Sequence, residues 1–175
     1  MEKVTGSSPV APITIATDDT LSRIRSALVD AGIEFRVVEH PPTFASEESA
    51  KARGEDLKVG AKALLVRFDD QFGNFVLPAD RQLDSGSVKR FLQVKRLRFA
   101  TPEELLRLTG LVPGSLPPFG HPILPFELFA DSSLGVDAGR VAFNAGSLTT
   151  SIVMSATDWE AIAKPRRFDF AKPRV

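Results

Sequence analysis

Gly60-Ala61-Lys62-Ala63-Leu64-Leu65-Val66-Arg67-Phe68-Asp69-Asp70-Gln71-Phe72-Gly73-Asn74-Phe75-Val76-Leu77 decides the fold. Two apolar runs, 61–68 and 74–77, flank the turn-forming stretch 70–73, and the pattern predicts a pair of strands joined by a turn. A strand sends alternate side chains to opposite faces, so Lys62 shares a face with Leu64 and Val66. Lysine is seldom buried without a partner. A lysine in such a run either serves a site or sits at the strand entrance with its head in water.

Working outward, helices and further strands surround this pair. Thr17 as N-cap with Asp18 and Asp19 predicts a helix carrying Leu21, Ile24, Leu28 and Ala31 at helical spacing, stopped by Gly32. A strand over 33–38 is broken by His40-Pro41-Pro42, and a short helix follows over 46–53. Beyond the central pair come a helix over 83–92 and a short strand over 96–99. Thr101-Pro102-Glu103-Glu104 then combines an N-cap, a proline at the first helical position and a capping box, opening a helix over 102–108 that Gly110 ends. Strands over 123–130, 141–144 and 151–154 precede a last helix over 157–163, introduced by Ser155-Ala156-Thr157-Asp158. There is no regular βαβ alternation. The expectation is one domain of mixed α/β, α+β-like class, a mixed sheet flanked by helices. It spans 17–164, between a Pro/Ser/Thr-rich, loosely ordered arm over 1–16 and a tail over 165–175.

Composition bounds the chemistry. The 175 residues contain no cysteine, which excludes disulfides, thiolate metal sites and cysteine nucleophiles, and suits a reducing cytoplasm. His40 and His121 are the only histidines, too few for a multi-histidine metal centre, and no cofactor is called for. Lys+Arg and Asp+Glu both number 22, so there is no global basic field, and a polyanion partner has to be held by a local patch. Lys89, Arg90, Lys95, Arg96 and Arg98 form one such patch, readable as a track for a nucleic-acid stem or as a solvated face. No apolar run is long enough for a membrane span, and no signal peptide is visible.

Gly114-Ser115-Leu116-Pro117-Pro118-Phe119-Gly120-His121-Pro122 is a second informative stretch. Its glycines open backbone space while its prolines fix φ and remove amide donors, so it forms a stiff, shaped loop, either a connector or the wall of a small-molecule site. Gly114 would let a ligand approach the backbone, free amides at Ser115 and Leu116 would bind polar atoms, and Pro117 and Pro118 would act as rigid walls. Asn144-Ala145-Gly146-Ser147 offers amide and hydroxyl groups after a strand and is equally an ordinary turn. His40 reads as a substrate contact or a loop histidine bonded to backbone, and His121 as structural or solvent-facing. Asp80 and Asp84 are acid/base candidates that helix capping also explains.

The order His40-Pro41, Gly60-Ala61-Lys62-Ala63-Leu64, Leu77-Pro78-Ala79-Asp80, Ala100-Thr101-Pro102-Glu103-Glu104 and Gly114 to Gly120 resembles the YbaK/prolyl-tRNA-synthetase-associated domain family over roughly 17–163. The resemblance implies a strongly twisted, partly barrel-like mixed sheet. It also implies hydrolysis of the ester of mischarged tRNA, by a freestanding cytoplasmic domain because no synthetase core accompanies it. The family's functional lysine falls on Lys62, where it would hold the terminal phosphate or polarise the scissile carbonyl. The family's Gly-x-x-x-Pro loop falls on Gly114 to Pro118, and the His-Pro position on His40. Such a domain engages the acceptor end of mischarged tRNA, with prolyl-tRNA synthetase as a possible further partner and no membrane partner. Alanine on tRNA(Pro) is the favoured substrate, with cysteine, serine and threonine as the other candidates. No Gly-x-Ser-x-Gly motif is present, so a positioned water, helped by a hydroxyl of the terminal adenosine, is the expected nucleophile. The rival readings are a non-catalytic nucleic-acid or protein binding module on the same fold, and an esterase or amidase of small molecules.

Overall fold

A central antiparallel hairpin organises the molecule, which is a computed structural model describing residues 2–3 and 19–174. β3 (Ala61–Phe68) and β4 (Gln71–Pro78) pair along their full length, from Ala61 opposite Pro78 to Phe68 opposite Gln71. The connection is therefore only Asp69-Asp70, shorter than the turn expected over 70–73. Asp69 adopts φ +52, a left-handed conformation that Asp tolerates better than most residues. Its carboxylate accepts the amides of Lys95 and Arg96, which leads the chain into the edge strand β6 (Leu97–Phe99). Gly73 lies inside β4 rather than in the turn, because a Cβ there would stand 2.9 Å from the Phe68 ring and 3.1 Å from the Phe129 ring. The glycine makes room for aromatic packing.

The remaining elements follow in chain order. β1 (Glu2–Lys3), α1 (Thr20–Asp30), β2 (Phe35–Glu39), α2 (Ser46–Arg53) and a 3-10 turn (Leu57–Val59) precede the hairpin. β5 (Arg81–Leu83) and α3 (Ser85–Leu92) follow it, and α4 (Pro102–Thr109), β7 (Glu127–Asp131), β8 (Arg140–Asn144), β9 (Thr150–Ser155), α5 (Ala156–Ala163), β10 (Arg166–Phe168) and β11 (Ala171–Pro173) come after β6. A five-stranded mixed sheet runs β10-β7-β4-β3-β6, and a four-stranded sheet runs β1-β2-β9-β8. A Gly60–Ala142 bridge links β8 to the start of β3, and among the described residues the paired strands form three sheets, the third being the short β11-β5 pair. No helix among the described residues is long and apolar enough to cross a membrane.

Local signals explain most boundaries. Asp19 caps α1 through its carboxylate, while the expected cap Thr17 and the arm over 1–16, apart from Glu2–Lys3, lie outside the described residues. Thr101 and Glu104 form the reciprocal capping box at α4, and Gly110 ends that helix at φ +76. Asp84 is the N-cap of α3, which accounts for that carboxylate without catalysis. The strand expected over 123–130 begins only at Glu127. Residues 123–126 are held in turns, where the Leu124 amide bonds Gly120 O and the His121 amide bonds Phe126 O.

Both faces of the five-stranded sheet are covered, which is why its strands are apolar on successive residues. One face meets the main core, from Ile24 and Leu28 of α1 to Trp159 of α5. The other meets a phenylalanine cluster in which Phe75 stacks on Phe129 at 4.5 Å, with Phe168 and Phe170 edge-on to that pair. Each buried phenylalanine contributes about 1.5–3 kcal/mol relative to exposure. Residues set apart as a tail are thus integral: β10 runs parallel to β7, β11 pairs with β5, and Phe168 and Phe170 are buried.

Candidate functional site

The cleft forms where α2, the start of β3 and the Gly114 loop meet. α2 begins tightly because Glu48 Oε1 accepts the amides of Phe44 and Ala45, folding 43–45 over the helix start. The helix ends at Gly54, φ +72, and its last residue, Arg53, turns inward and is only 9% exposed. Arg53 Nε donates to Ser151 Oγ at 2.9 Å and Nη2 to Asn144 Oδ1 at 3.1 Å. No carboxylate touches this guanidinium among the described residues; Glu55 acts on it only through space. Burial therefore lowers its pKa to about 10. A guanidinium stays charged at any neutral pH, so the shift measures how strongly this cation has been stripped of water.

Asn144 ties the floor to the loop. Its Oδ1 faces Arg53, and its Nδ2 donates to Gly114 O at 2.8 Å. The Gly146 amide adds a bond to Ser115 O at 3.0 Å. The Ser151 hydroxyl stands 2.8 Å from His40 Nε2 and 3.0 Å from Asn144 Oδ1. The Pro41 carbonyl, 2.9 Å from His40 Nδ1, can only accept, so Nδ1 carries a hydrogen there. Ser151 Oγ donates its single hydrogen to Asn144 Oδ1, and His40 Nε2 lies within hydrogen-bond distance of the same Ser151 oxygen. His40 thus supports the floor from behind Ser151 and does not line the cleft.

Opposite the floor, Lys62 lies half-buried on β3 with its ammonium donating to Arg81 O at 2.7 Å. Burial pushes it below the ordinary lysine value, the positive charge of Arg174 adds to the effect, and Glu47 and Asp80 oppose it. Between these walls lies a cavity of about 200 Å³. Thr43, Ser46, Ser49, Arg53, Lys62 and Asn144 supply its polar groups, and Gly60, Ala61, Ala63, Leu64, Gly114 and Leu116 much of its surface. Thr43 and Ser49 share a hydroxyl–hydroxyl bond of 2.7 Å.

The Gly114 loop divides in two. Gly114, at φ +92, and Leu116 face the cleft, and the Leu116 amide has no partner among the described residues. Ser115 does not line it: its side chain is buried against Val112 O, and its amide bonds the same carbonyl. Pro117 and Pro118 are buried behind the cleft rather than lining it. Their carbonyls accept from Asn74 Nδ2 and Trp159 Nε1, both at 2.9 Å. The prolines stiffen the wall from within the core.

The structure thus brings Lys62, Gly114, Leu116 and Asn144 to one cavity. Gly146 and Ser147 do not line it: the Gly146 amide ties to the Gly114 loop, and Ser147 bonds Thr149 within its own turn. The basic patch lies apart. Arg98 sits opposite Arg67 near the far end of β3, about 17 Å along the strand from Lys62. Its guanidinium is held by both oxygens of Glu104, and Arg90 bonds Ser87. Arg53, Thr43 and Ser49 went unnoticed in the sequence. The signal for Arg53 was its place at a helix end directly before a glycine, which also fits an ordinary dipole contact.

Residues 40–162 match the aminoacyl-tRNA editing domain. The chain is 35% identical to the Multifunctional Ser/Thr-tRNA deacylase ProXp-y of Escherichia coli, over 87% of this chain and 93% of that protein. It is 28% identical to the Proline--tRNA ligase of Macrococcus caseolyticus over 55% of this chain and 17% of that longer protein. A crystal structure described as a candidate trans-editing enzyme for prolyl tRNA synthetase superposes with a TM-score of 0.76 at 26% identity, covering 90% of this chain and 99% of that one.

Proposed function

Because the chain belongs to the aminoacyl-tRNA editing domain family and is an aminoacyl-tRNA deacylase, we propose that it removes hydroxy amino acids, serine and threonine, from tRNA in preference to alanine. The observation that carries this reading is the polar chamber. Thr43 and Ser49 present paired hydroxyls, and the desolvated Arg53 with Asn144 lies beside them. A site built to hydrogen-bond a hydroxyl rejects the analogue that lacks it, because its own polar groups are then left unpaired. A pocket for alanine needs only a small apolar enclosure. The named activity of the relative at 35% identity points the same way.

In the proposed reaction a water attacks the ester carbonyl carbon, negative charge gathers on the carbonyl oxygen, and the bond to the terminal ribose breaks. The ribose oxygen takes a proton and the amino acid leaves as its carboxylate. The chain has no cysteine to act as nucleophile, and its contribution is positioning and fixed charge. Lys62 and Arg53 place cations on two sides of the cavity, the Leu116 amide offers a free donor, and Gly114 keeps the backbone close. A hydroxyl of the terminal adenosine assists the water. The region of the half-buried Lys89 and the exposed Lys95 and Arg96 guides the acceptor stem, and prolyl-tRNA synthetase, some forms of which share this domain, is the candidate to hand over the substrate.

The test is a deacylation panel with seryl-, threonyl-, alanyl- and cysteinyl-tRNA at equal concentration. Serine and threonine should leave at least about tenfold faster than alanine. Equal or faster release of alanine would overturn the preference and leave the deacylase activity standing.

A further inference from the structure

Arg174 reaches the mouth of the same cleft from a segment that lies outside the matched domain. β11 pairs with β5 so that Pro173 stands opposite Arg81, which delivers the next residue to the turn between β4 and β5. There Arg174 Nη1 donates to Ala79 O at 3.3 Å, while Lys62 Nζ donates to Arg81 O at 2.7 Å. The two cations therefore grip carbonyls two residues apart and flank one turn, and both Ala79 and Lys62 line the cavity. The other arm of Arg174 lies 2.9 Å from Glu47 Oε2, in the first turn of α2, beside cavity residue Ser46.

We propose that Arg174 binds a backbone phosphodiester at the 3′ end of the tRNA, next to Lys62, and that Glu47 holds the guanidinium in place until the phosphate takes it over. Three features favour this assignment. Two like charges around one turn repel each other, which the depression of the Lys62 pKa by Arg174 reflects, and an anion seated between them relieves that repulsion. The Arg174–Glu47 pair is exposed, 42% and 57% at the two side chains, and exposed pairs contribute little, so exchanging the carboxylate for a phosphate costs little. A guanidinium is also shaped to take two oxygens of one phosphate. The proposal rests on the deacylase activity and is independent of which amino acid is removed.

Three proteins decide it: the wild type, Arg174→Ala and Glu47→Gln. Each is assayed on charged tRNA and on an aminoacyl ester of adenosine, which carries no phosphate. For Arg174→Ala the KM for tRNA should rise roughly tenfold, the ratio of tRNA to ester kcat/KM should fall by a similar factor, and the slope of log affinity against log salt should drop by about one. Glu47→Gln should act in the opposite direction and lower the KM for tRNA, because it removes the competing carboxylate. Binding of uncharged tRNA, measured by fluorescence anisotropy, reads the same contact without turnover. A purely structural latch would instead impair both substrates alike, leave the salt slope unchanged and make Glu47→Gln as harmful as Arg174→Ala. Any of those three results overturns the proposal.

Discussion

The floor and the rim of the cleft carry similar charge on opposite principles. On the floor, Arg53, Asn144 and Ser151 are buried and bonded mainly to one another, so each fixes its neighbours. On the rim, Lys62 is half-buried with a single carbonyl partner, and Arg174 and Glu47 are largely exposed. The floor gives the chamber its shape and cannot lose a member without leaving a buried polar group unpaired. The rim can exchange partners with a substrate at small cost. The same family of residues therefore divides into groups whose removal damages the fold and groups whose removal damages only the reaction.

The sharpest way to break this contrast is Lys62→Ala. Its deacylation kcat/KM should fall by at least roughly 10²-fold, the usual result of removing one fixed donor or charge from a reacting centre. Stability by urea denaturation should change by less than about 1 kcal/mol, since the lost hydrogen bond is only part-buried. A variant that unfolds, or one that retains activity, removes Lys62 from the rim.

On the floor, Asn144→Ala should lower stability by about 2–3 kcal/mol, because it strips a buried guanidinium and the Gly114 carbonyl of their shared partner. Activity should fall with it, as the loop loses its tie. Unchanged stability with reduced activity would mean that Asn144 belongs functionally with the rim. One step further back, Trp159→Phe removes the bond to the Pro118 carbonyl while keeping an aromatic ring in place. A loss of about 1 kcal/mol is expected, with a modest rise in KM as the buried half of the loop loosens.

The contrast also shows what could be read in the sequence. The Lys62 part of the rim and the loop wall were legible: Lys62 interrupts an apolar strand, Gly114 stands in a loop of opposed glycines and prolines, and both reach the same cavity. The helix signals at Thr101-Pro102-Glu103-Glu104 and Gly110 translated directly into structure because capping is a local interaction. Of the floor only Asn144 was legible, as a polar group following a strand. Arg53 meets Asn144 and Ser151 across 91 and 98 residues of chain, and nothing local to a polar helix marks one arginine as buried. The Gly73 misreading has a similar origin, since the aromatic rings that require a glycine there include one from β7. Residues 165–174 are a different case. Phe168-Asp169-Phe170 has the alternation of a strand, and the proline and basic residues around it obscured that signal.

The smallest effect separates the two cations of the rim through pH. If the ammonium of Lys62 is the working form, deacylation is retained below its pKa and lost as pH rises through it, on an alkaline limb below the ordinary lysine value of 10.5. The contribution of Lys62 to stability runs the other way. Burial lowers its pKa in the folded state, so between the lowered and the unfolded values the native protein binds fewer protons than the unfolded chain, and stability rises with pH. Activity and this part of stability should therefore diverge across the same window. Arg174 contributes to the depression, so Arg174→Ala should move the alkaline limb upward, toward the ordinary value, whereas Asn144→Ala on the floor should leave its position unchanged. A limb that stays put in Arg174→Ala would mean that the two rim cations do not sense each other, and the rim would then be two separate sites instead of one.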